Sequence, residues 1–205
     1  VSELMALVRV VVIVAFAAEA VATAVLMTVF VRQFGWTHGF WQTQFHAISA
    51  FNNAGFSLFP DSLMGYVGDP TVNITITVLF ILSGLGFIVL ADVNRQPQWS
   101  NLSFHGKLML SGTLCLILFA WVMLAILEWN NHATLANLES DAARLLASWF
   151  QAVTPRTAGL NTLDYAAMED SITVMTMALM LVGGGPSSTA GGIKVTTRIV
   201  LALAT

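Results

Sequence analysis

The chain has 205 residues, of which 57% are hydrophobic and 9% are charged, and its mean hydropathy is +0.78. So few charged side chains cannot cover a water-soluble domain of this length, which excludes that class and indicates an all-α integral membrane protein. The net charge of -3 is too small to indicate nucleic acid or another strongly charged partner.

Four segments are apolar and long enough to cross a hydrocarbon core of about 30 Å, which takes about 20 residues of helix. They cover residues 4–30, 71–93, 107–127 and, with an interruption, 172–205. Because the chain begins and ends inside apolar sequence, we expect it to be a fragment of a longer protein.

The charges of the connecting segments predict an orientation in the membrane. The basic residues that indicate the cytoplasmic side are Arg95, Lys107, Lys194 and Arg198. Segments 58–70 and 128–141 carry acidic residues and no lysine or arginine, so we expect them outside the cell.

Glu19 interrupts the first apolar segment near its middle. A carboxylate at that depth is costly, and it normally faces the interior of a helix bundle or water. Two roles stay open for it. One is a role in a pore or an interface, and the other is that of a hydrogen-bonded residue that packs helices together.

Residues 40–49 form a short amphipathic run that cannot cross the membrane. A short helix followed by the irregular stretch 52–57 predicts a re-entrant hairpin, which is tolerated only where protein or water satisfies its backbone groups. His46 in this run could be a ligand or a proton carrier, but no second histidine or carboxylate lies at metal-ligand spacing. We therefore expect a buried packing residue.

The second half of the chain repeats this plan, with another short helix predicted over residues 141–153. Trp149 precedes Gly159 by ten residues, as Phe45 precedes Gly55 by ten. Such a repetition predicts two helix, pore-loop, helix units. The units cover residues 1–93 and 107–205, and a cytoplasmic linker covers residues 94–106.

Gly55 and Gly159 follow the two short helices. A short helix that enters from outside points the negative end of its dipole into the membrane, which favours a cation there. An extended segment beyond the helix can replace the water shell of an ion with backbone carbonyls, as in potassium channels. Glycine permits the positive φ that this arrangement requires. The alternative, which the spacing leaves open, is that each glycine only caps its helix.

Residues 183–192 contain five glycines and one proline. In a continuous helix each glycine costs about 1 kcal/mol and proline about 3 kcal/mol, so the last helix is predicted to break here. A phosphate-binding loop is excluded, because Ile193 separates the last glycine from Lys194 and Val195 follows. The broken stretch is expected to form either a gate below the filter or a plain cytoplasmic end of the helix.

Three motifs carry a specific resemblance. They are Phe51-Asn52-Asn53-Ala54-Gly55-Phe56-Ser57, Arg156-Thr157-Ala158-Gly159 and Gly183-Gly184-Gly185-Pro186-Ser187-Ser188-Thr189-Ala190-Gly191-Gly192-Ile193-Lys194. Together they resemble the membrane subunit of the Trk/Ktr/HKT potassium transporters, and the Ktr type most closely. In that family four repeats surround one potassium pathway and each contributes one filter glycine. The resemblance implies that this chain holds the second and third repeats, with a departure at Pro155 and Leu160.

The resemblance also implies a filter of backbone carbonyls and an intramembrane gate loop that moves with a cytoplasmic regulator. The implied filter residues are Asn52, Asn53, Ala54, Gly55, Phe56, Arg156, Thr157, Ala158, Gly159 and Leu160. The implied gate loop consists of Gly183, Gly184, Gly185, Pro186, Ser187, Ser188, Thr189, Ala190, Gly191, Gly192 and Lys194.

The resulting hypothesis is potassium uptake across the bacterial inner membrane by a multi-pass protein, either channel-like or by symport with another cation. K+ is the expected ion, and Na+ is a second candidate. The resemblance implies a nucleotide-binding regulatory ring on the cytoplasmic side and a homodimer of membrane subunits in the lipid bilayer. The alternative is a secondary transporter of another cation or a small solute, with its site at the broken helix. No enzyme is expected, since no histidine lies in the segment of Ser187 and Ser188.

Overall fold

The computed structural model describes residues 2–96, 98–156, 158–194 and 197, and the regular secondary structure of these residues is helical. The α-helices are Ser2–Phe51 (α1), Pro70–Leu85 (α2), Phe87–Arg95 (α3), Phe104–Glu128 (α4), Asp141–Val153 (α5) and Asp170–Met180 (α6). Short 3-10 turns and irregular segments connect them. The predicted all-α class is confirmed.

α1 consists of two helices that meet at Gly35, where φ is 75° and ψ is 175°. The second helix returns along the first, since a methyl group built on Gly39 would lie 2.6 Å from the Cα atom of Val31. Further along, the Thr23 hydroxyl donates to Gln44 Oε1 at 3.3 Å. The contacts therefore pair increasing residue numbers on the second helix with decreasing residue numbers on the first, which is antiparallel packing. This antiparallel return is the one that the predicted re-entrant hairpin requires.

α4 and α5 form a similar antiparallel pair in the second half of the chain. The Arg144 guanidinium lies 5.6 Å from the ring centroid of Trp129, near the turn between the two helices. Further along, Trp121 Nε1 donates to Ser148 Oγ at 3.0 Å, and the Trp121 and Trp149 rings pack edge to face at 5.4 Å. A long helix followed by a short returning helix therefore occurs twice.

The apolar segment 71–93, which is long enough to cross a membrane, forms two helices instead of one. α2 ends at Leu85, and α3 leaves it at an angle of 92°. Gly86 forms the break, with φ 94° and ψ 142°. A methyl group built on Gly86 would lie 2.3 Å from the carbonyl oxygen of Pro186, so the glycine-rich stretch occupies the space beside the bend.

Among the described residues, two helical stretches, Val8–Phe51 and Phe104–Glu128, are long and apolar enough to cross a membrane, and the bent pair of α2 and α3 adds a third if it counts as one span. α6 has 11 residues and ends before the glycine-rich stretch, so the predicted interruption of the last span is confirmed. Residues 195, 196 and 198–205 of that span, including Arg198, lie outside the described residues.

A shared core joins the two halves of the chain. α2 packs on α5 through the Phe80 and Phe150 rings, whose centroids are 5.9 Å apart, and Trp149 Nε1 donates to Thr77 Oγ1 at 3.2 Å. Phe150 is fully buried, in a cluster that also contains Leu26 of α1. This packing joins the helix that follows Gly55 to the short helix that precedes Gly159.

Glu128, at the end of α4, is fully buried and organises the connecting segments of the second half. Its Oε2 atom accepts hydrogen bonds from Asn131 Nδ2 at 2.9 Å and from the Thr134 hydroxyl at 2.6 Å. Its Oε1 atom accepts from the backbone N–H of Glu169 at 2.7 Å, next to the start of α6. Since buried polar groups are tolerated when they are hydrogen-bonded, these three bonds stabilise the carboxyl group and tie α6 to α4.

Replacing Glu128 by Ala removes the acceptor of one buried and two partly buried hydrogen bonds, and each donor left without its acceptor in the interior costs about 1–3 kcal/mol. We expect the melting temperature of the full-length protein in detergent to fall by roughly 5–15 °C. The control Glu139→Ala removes an exposed carboxylate from the same connecting segment. It should shift the melting temperature by no more than about 2 °C. Equal melting of the two variants would contradict the role given to Glu128.

Candidate functional site

The short helix at the end of α1 closes with Asn53 in the left-handed conformation, at φ 49°. The Asn53 N–H donates to the carbonyl of Ala50 at 3.2 Å, and the Ala54 N–H donates to that of Ser49 at 2.9 Å. This pair of bonds is the Schellman motif, with Asn53 as the first residue past the cap. The alternative that Gly55 only caps this helix is therefore wrong.

Gly55 and Gly159 approach each other closely. Both have positive φ, at 73° and 82°. A methyl group built on Gly55 would lie 3.0 Å from the Cα atom of Gly159, and one built on Gly159 would lie 2.8 Å from that of Gly55. Backbone conformation and this close approach both exclude a side chain, so glycine is required at each position.

The residue after each glycine is held by a hydroxyl group of the preceding helix or turn. The Ser49 hydroxyl donates to the carbonyl of Phe56 at 2.6 Å and accepts from the Phe56 N–H at 3.1 Å. In the second half the Thr154 hydroxyl donates to the carbonyl of Leu160. The carbonyls of Phe56 and Leu160, which the sequence predicts to face an ion, thus already accept a hydrogen bond from the protein.

The carbonyls that precede these two residues are different. Over the residues that the structure describes, no hydrogen-bond donor reaches the carbonyls of Asn53, Ala54, Gly55, Ala158 or Gly159. The Ala158 carbonyl oxygen lies close to Gly55, 3.2 Å from a methyl group built there. Oxygen atoms from both halves of the chain are therefore available around the meeting point of the two glycines.

Arg156 and Asn52 direct their side chains to other parts of the protein. Arg156 lines a small cavity of about 20 Å³ together with Gly84 of α2 and Gly184 of the glycine-rich stretch. Asn52 Nδ2 donates to Glu19 Oε1 at 3.3 Å, which supports the hydrogen-bonded packing role for Glu19. Only the backbone of these two residues remains as a candidate for ion binding. Thr157 lies outside the described residues.

His46 is fully buried and supports the segment that follows Gly55. Its Nδ1 atom lies 2.7 Å from the carbonyl oxygen of Gln42, and its Nε2 atom lies 3.0 Å from Ser57 Oγ. Since a carbonyl only accepts, the proton is assigned to Nδ1. The ring also stacks on Phe59 at 4.8 Å. The predicted packing role of His46 is confirmed.

The two segments that leave the glycines are joined to each other. The Leu63 N–H donates to the carbonyl of Asn161 at 3.0 Å, and the Asn161 N–H donates to Ser62 Oγ at 3.1 Å. These bonds connect residues that are about a hundred positions apart in the chain. They fix the position of the two glycine-containing stretches relative to each other.

An apolar cavity of about 480 Å³ opens beside Gly159. It is lined by Thr154, Pro155, Gly159, Tyr165, Thr173, Thr176, Met177 and Met180. Tyr165 lies in the connection to α6, and burial raises the pKa of its hydroxyl, so the phenol is neutral near pH 7. The cavity wall next to Gly159 is therefore uncharged.

The glycine-rich stretch forms a loop that closes on itself. The Gly183 N–H donates to the carbonyl of Ile193 at 2.9 Å, and the Ile193 N–H donates to that of Leu181 at 3.2 Å. Within the loop, the Lys194 ammonium donates to the carbonyl of Ala190 at 2.6 Å. The irregular backbone thus satisfies part of its own hydrogen bonding.

The loop lies against the bend between α2 and α3. The Gly185 N–H donates to the carbonyl of Gly84 at 2.8 Å, and the Phe87 N–H donates to the carbonyl of Ser187 at 3.1 Å. Methyl groups built on Gly184 and Gly185 would lie 2.4 Å and 2.2 Å from backbone oxygens of α2. Two interrupted helices therefore satisfy each other's backbone groups. The sequence signal for this contact is Ser83-Gly84-Leu85-Gly86, which by itself indicates only close packing of straight helices.

Among the described residues, no group of three or more histidine, cysteine, aspartate or glutamate side chains could hold a metal ion. The hydroxyl of Ser188 donates to the carbonyl of Gly185 at 2.6 Å. The polar groups without hydrogen-bond partners beside Gly55 and Gly159 are backbone carbonyls, the type of group that replaces the water shell of an ion in potassium channels.

Comparisons with known proteins agree with this chemistry. Residues 1–204 match the family TrkH, described as cation transport protein. The chain is 51% identical over 195 residues to the Ktr system potassium uptake protein B of Bacillus subtilis, covering 95% of this chain and 44% of that protein. It is 37% identical over 183 residues to the potassium/sodium uptake protein NtpJ of Enterococcus hirae, covering 89% of this chain and 40% of that protein. It thus spans less than half the length of these relatives.

The fold is also similar to that of a solved structure, the potassium transporter TrkH from Vibrio parahaemolyticus. The TM-score is 0.67 at 21% identity, covering 89% of this chain and 37% of the other. Fold and family together make this a multi-pass membrane protein and confirm the predicted resemblance. The chain belongs to the TrkH family of cation transport proteins.

Proposed function

We propose that this chain contributes the second and third repeats of a potassium uptake protein of the bacterial inner membrane, and that Gly55 and Gly159 lie in its selectivity filter. The observation that carries the proposal is the meeting of these two glycines beside carbonyls without donors. Each glycine follows a short returning helix whose carboxyl end carries a partial negative charge, which favours a cation there.

The carbonyl groups suit K+ because such dipoles can replace the water shell of an ion. The filter candidates are the backbones of residues 52–55 and 156–159, with Phe56 and Leu160 in a supporting role through Ser49 and Thr154. Na+ is a second candidate, since one relative is named for both potassium and sodium uptake. Transport is either channel-like or coupled to a second cation.

Two repeats do not enclose a pore, so other repeats or chains must complete it. The open side of Gly159, with its apolar cavity, is where we place part of that missing protein. Large apolar side chains project from α1 and α4, such as Phe16 and Ile126, which are 69% and 63% exposed. We assign these surfaces to the lipid bilayer and to neighbouring helices. A homodimer and a nucleotide-binding regulatory ring on the cytoplasmic side are proposed as partners.

We assign residues 183–192 and Lys194 to a gate loop. In support, the Thr189 hydroxyl donates to the carbonyl of Phe51 at 3.3 Å, at the end of the short helix before Gly55. A solute carrier would need polar side chains that are free to bind at the broken helix. Instead Ser188 and Lys194 bond to carbonyls of the loop itself, which favours an obstruction over a solute site.

Gly55→Ser tests the filter. The serine side chain meets Gly159 and strains a backbone at φ +73°, so the carbonyls around it must shift. We expect the ratio of K+ flux to Na+ flux through the full-length protein in proteoliposomes to fall about tenfold. The matched control is Gly65→Ser in the connecting segment, where a built methyl group has nothing within 4 Å. A ratio in Gly55→Ser equal to that of the control would sink the filter assignment.

Gly86→Ala tests the gate loop. Its methyl group would collide with the carbonyl of Pro186 at 2.3 Å, so the loop must move away from α2. We expect K+ flux to rise about tenfold. This corresponds to a change of about 1.4 kcal/mol in the free-energy difference between the obstructing and the open position of the loop. Gly84→Ala is the control in the same motif, because a methyl group there meets nothing within 4 Å. If folded Gly86→Ala protein transports no faster than this control, the loop does not obstruct the pathway.

A further inference from the structure

We infer that the side chain of Asn53 couples the gate loop to the filter, so that movement of the loop changes ion selectivity as well as flux. Asn53 Nδ2 donates to Ser83 Oγ at 2.8 Å and to Thr189 Oγ1 at 2.7 Å. These three residues, here called the Asn53 link, join the filter segment, α2 and the loop. The inference rests on the proposed function, since it assumes that the filter and the gate are where we assign them.

In the Asn53 link the amide group donates to both hydroxyl groups, and each hydroxyl group donates in turn to a backbone carbonyl. The Thr189 hydroxyl donates onward to the carbonyl of Phe51, and the Ser83 hydroxyl donates to that of Phe80, each at 3.3 Å. Both hydroxyl oxygens therefore accept from Asn53, which uses both hydrogens of its amide nitrogen. With this assignment both amide hydrogens of Asn53 and the hydroxyl hydrogens of Thr189 and Ser83 each have an acceptor.

The cap of the short helix does not require the Asn53 side chain. The Schellman bonds are made by the backbone N–H groups of Asn53 and Ala54. Asparagine tolerates the left-handed conformation of this position, at φ 49°. The amide group is thus available for a second task, and the structure directs it to a residue 136 positions away.

The link is close enough to the filter to act on it. The backbone of Asn53 begins the run of carbonyls without donors that continues to Gly55. If Thr189 moves away with the loop, Asn53 loses one of its two partly buried side-chain hydrogen bonds. The amide then reorients, and the backbone of residues 53–55 loses its lateral support. An open loop and a changed filter are therefore expected together.

The test compares variants of the full-length protein in proteoliposomes, with K+ flux and Na+ flux as separate readouts. Thr189→Val keeps the shape of the side chain and removes the acceptor, whereas Thr189→Ser keeps the hydroxyl and should restore the behaviour of the natural protein. The matched control is Thr113→Val. Thr113 is buried, and its hydroxyl has no hydrogen-bond partner within the part of the chain that is described.

We expect Thr189→Val to raise K+ flux about fivefold, the effect of losing one hydrogen bond, and to lower the ratio of K+ flux to Na+ flux at least twofold. Thr189→Ser and Thr113→Val should stay close to the natural protein in both readouts. Ser83→Ala removes the other acceptor and should change both readouts in the same direction as Thr189→Val. If Thr189→Val fails to fold, Ser83→Ala is used for the test instead.

Two results would overturn the inference. One is a Thr189→Val variant that behaves like Thr113→Val, and the other is a higher flux with an unchanged ratio, which would separate the loop from the filter. Both results differ from those expected if the proposed function is wrong. If it is wrong, the natural protein shows no preference for K+, or Gly55→Ser retains the natural ratio of K+ flux to Na+ flux.

Discussion

Gly55 and Gly159 approach so closely that neither position has room for a side chain, and the other features of the site follow from holding them there. Each glycine stands at the end of a helix that has turned back along a longer helix. The contact between Phe80 and Phe150 packs α2, which follows the first glycine, on α5, which precedes the second. Hydrogen bonds that join Leu63 and Ser62 to Asn161 then fix the segments beyond the glycines.

The second constraint is the satisfaction of backbone groups where helices are interrupted. In a membrane interior such groups cannot turn to water, so irregular backbone must find partners in the protein or line a cavity. Here the bend at Gly86 and the glycine-rich loop supply each other's partners, through Gly84 with Gly185 and Phe87 with Ser187. The backbone groups freed by the helix break in one half of the chain thus bond to those freed by the break in the other half. A change in either is expected to affect both.

The two repeated units are alike in plan and different in detail. The residue after the glycine is Phe56 in one unit, where it is 68% exposed, and Leu160 in the other, where it is fully buried. Their carbonyls are nevertheless held in the same manner, by Ser49 and by Thr154. The departure at Leu160 therefore leaves the support of the backbone intact, and the difference lies in which surface the side chain covers.

Composition and periodicity were enough to predict a helical membrane protein, two short returning helices, a helix break within residues 183–192 and positive φ at Gly55 and Gly159. These features depend on local properties, namely apolar length, helix-breaking residues and the need for positive φ. The bend at Gly86 and the direction of the Asn53 side chain could not be predicted in this way. Each depends on a contact with the glycine-rich loop about a hundred or more residues away, and only the packing of the whole chain creates that contact.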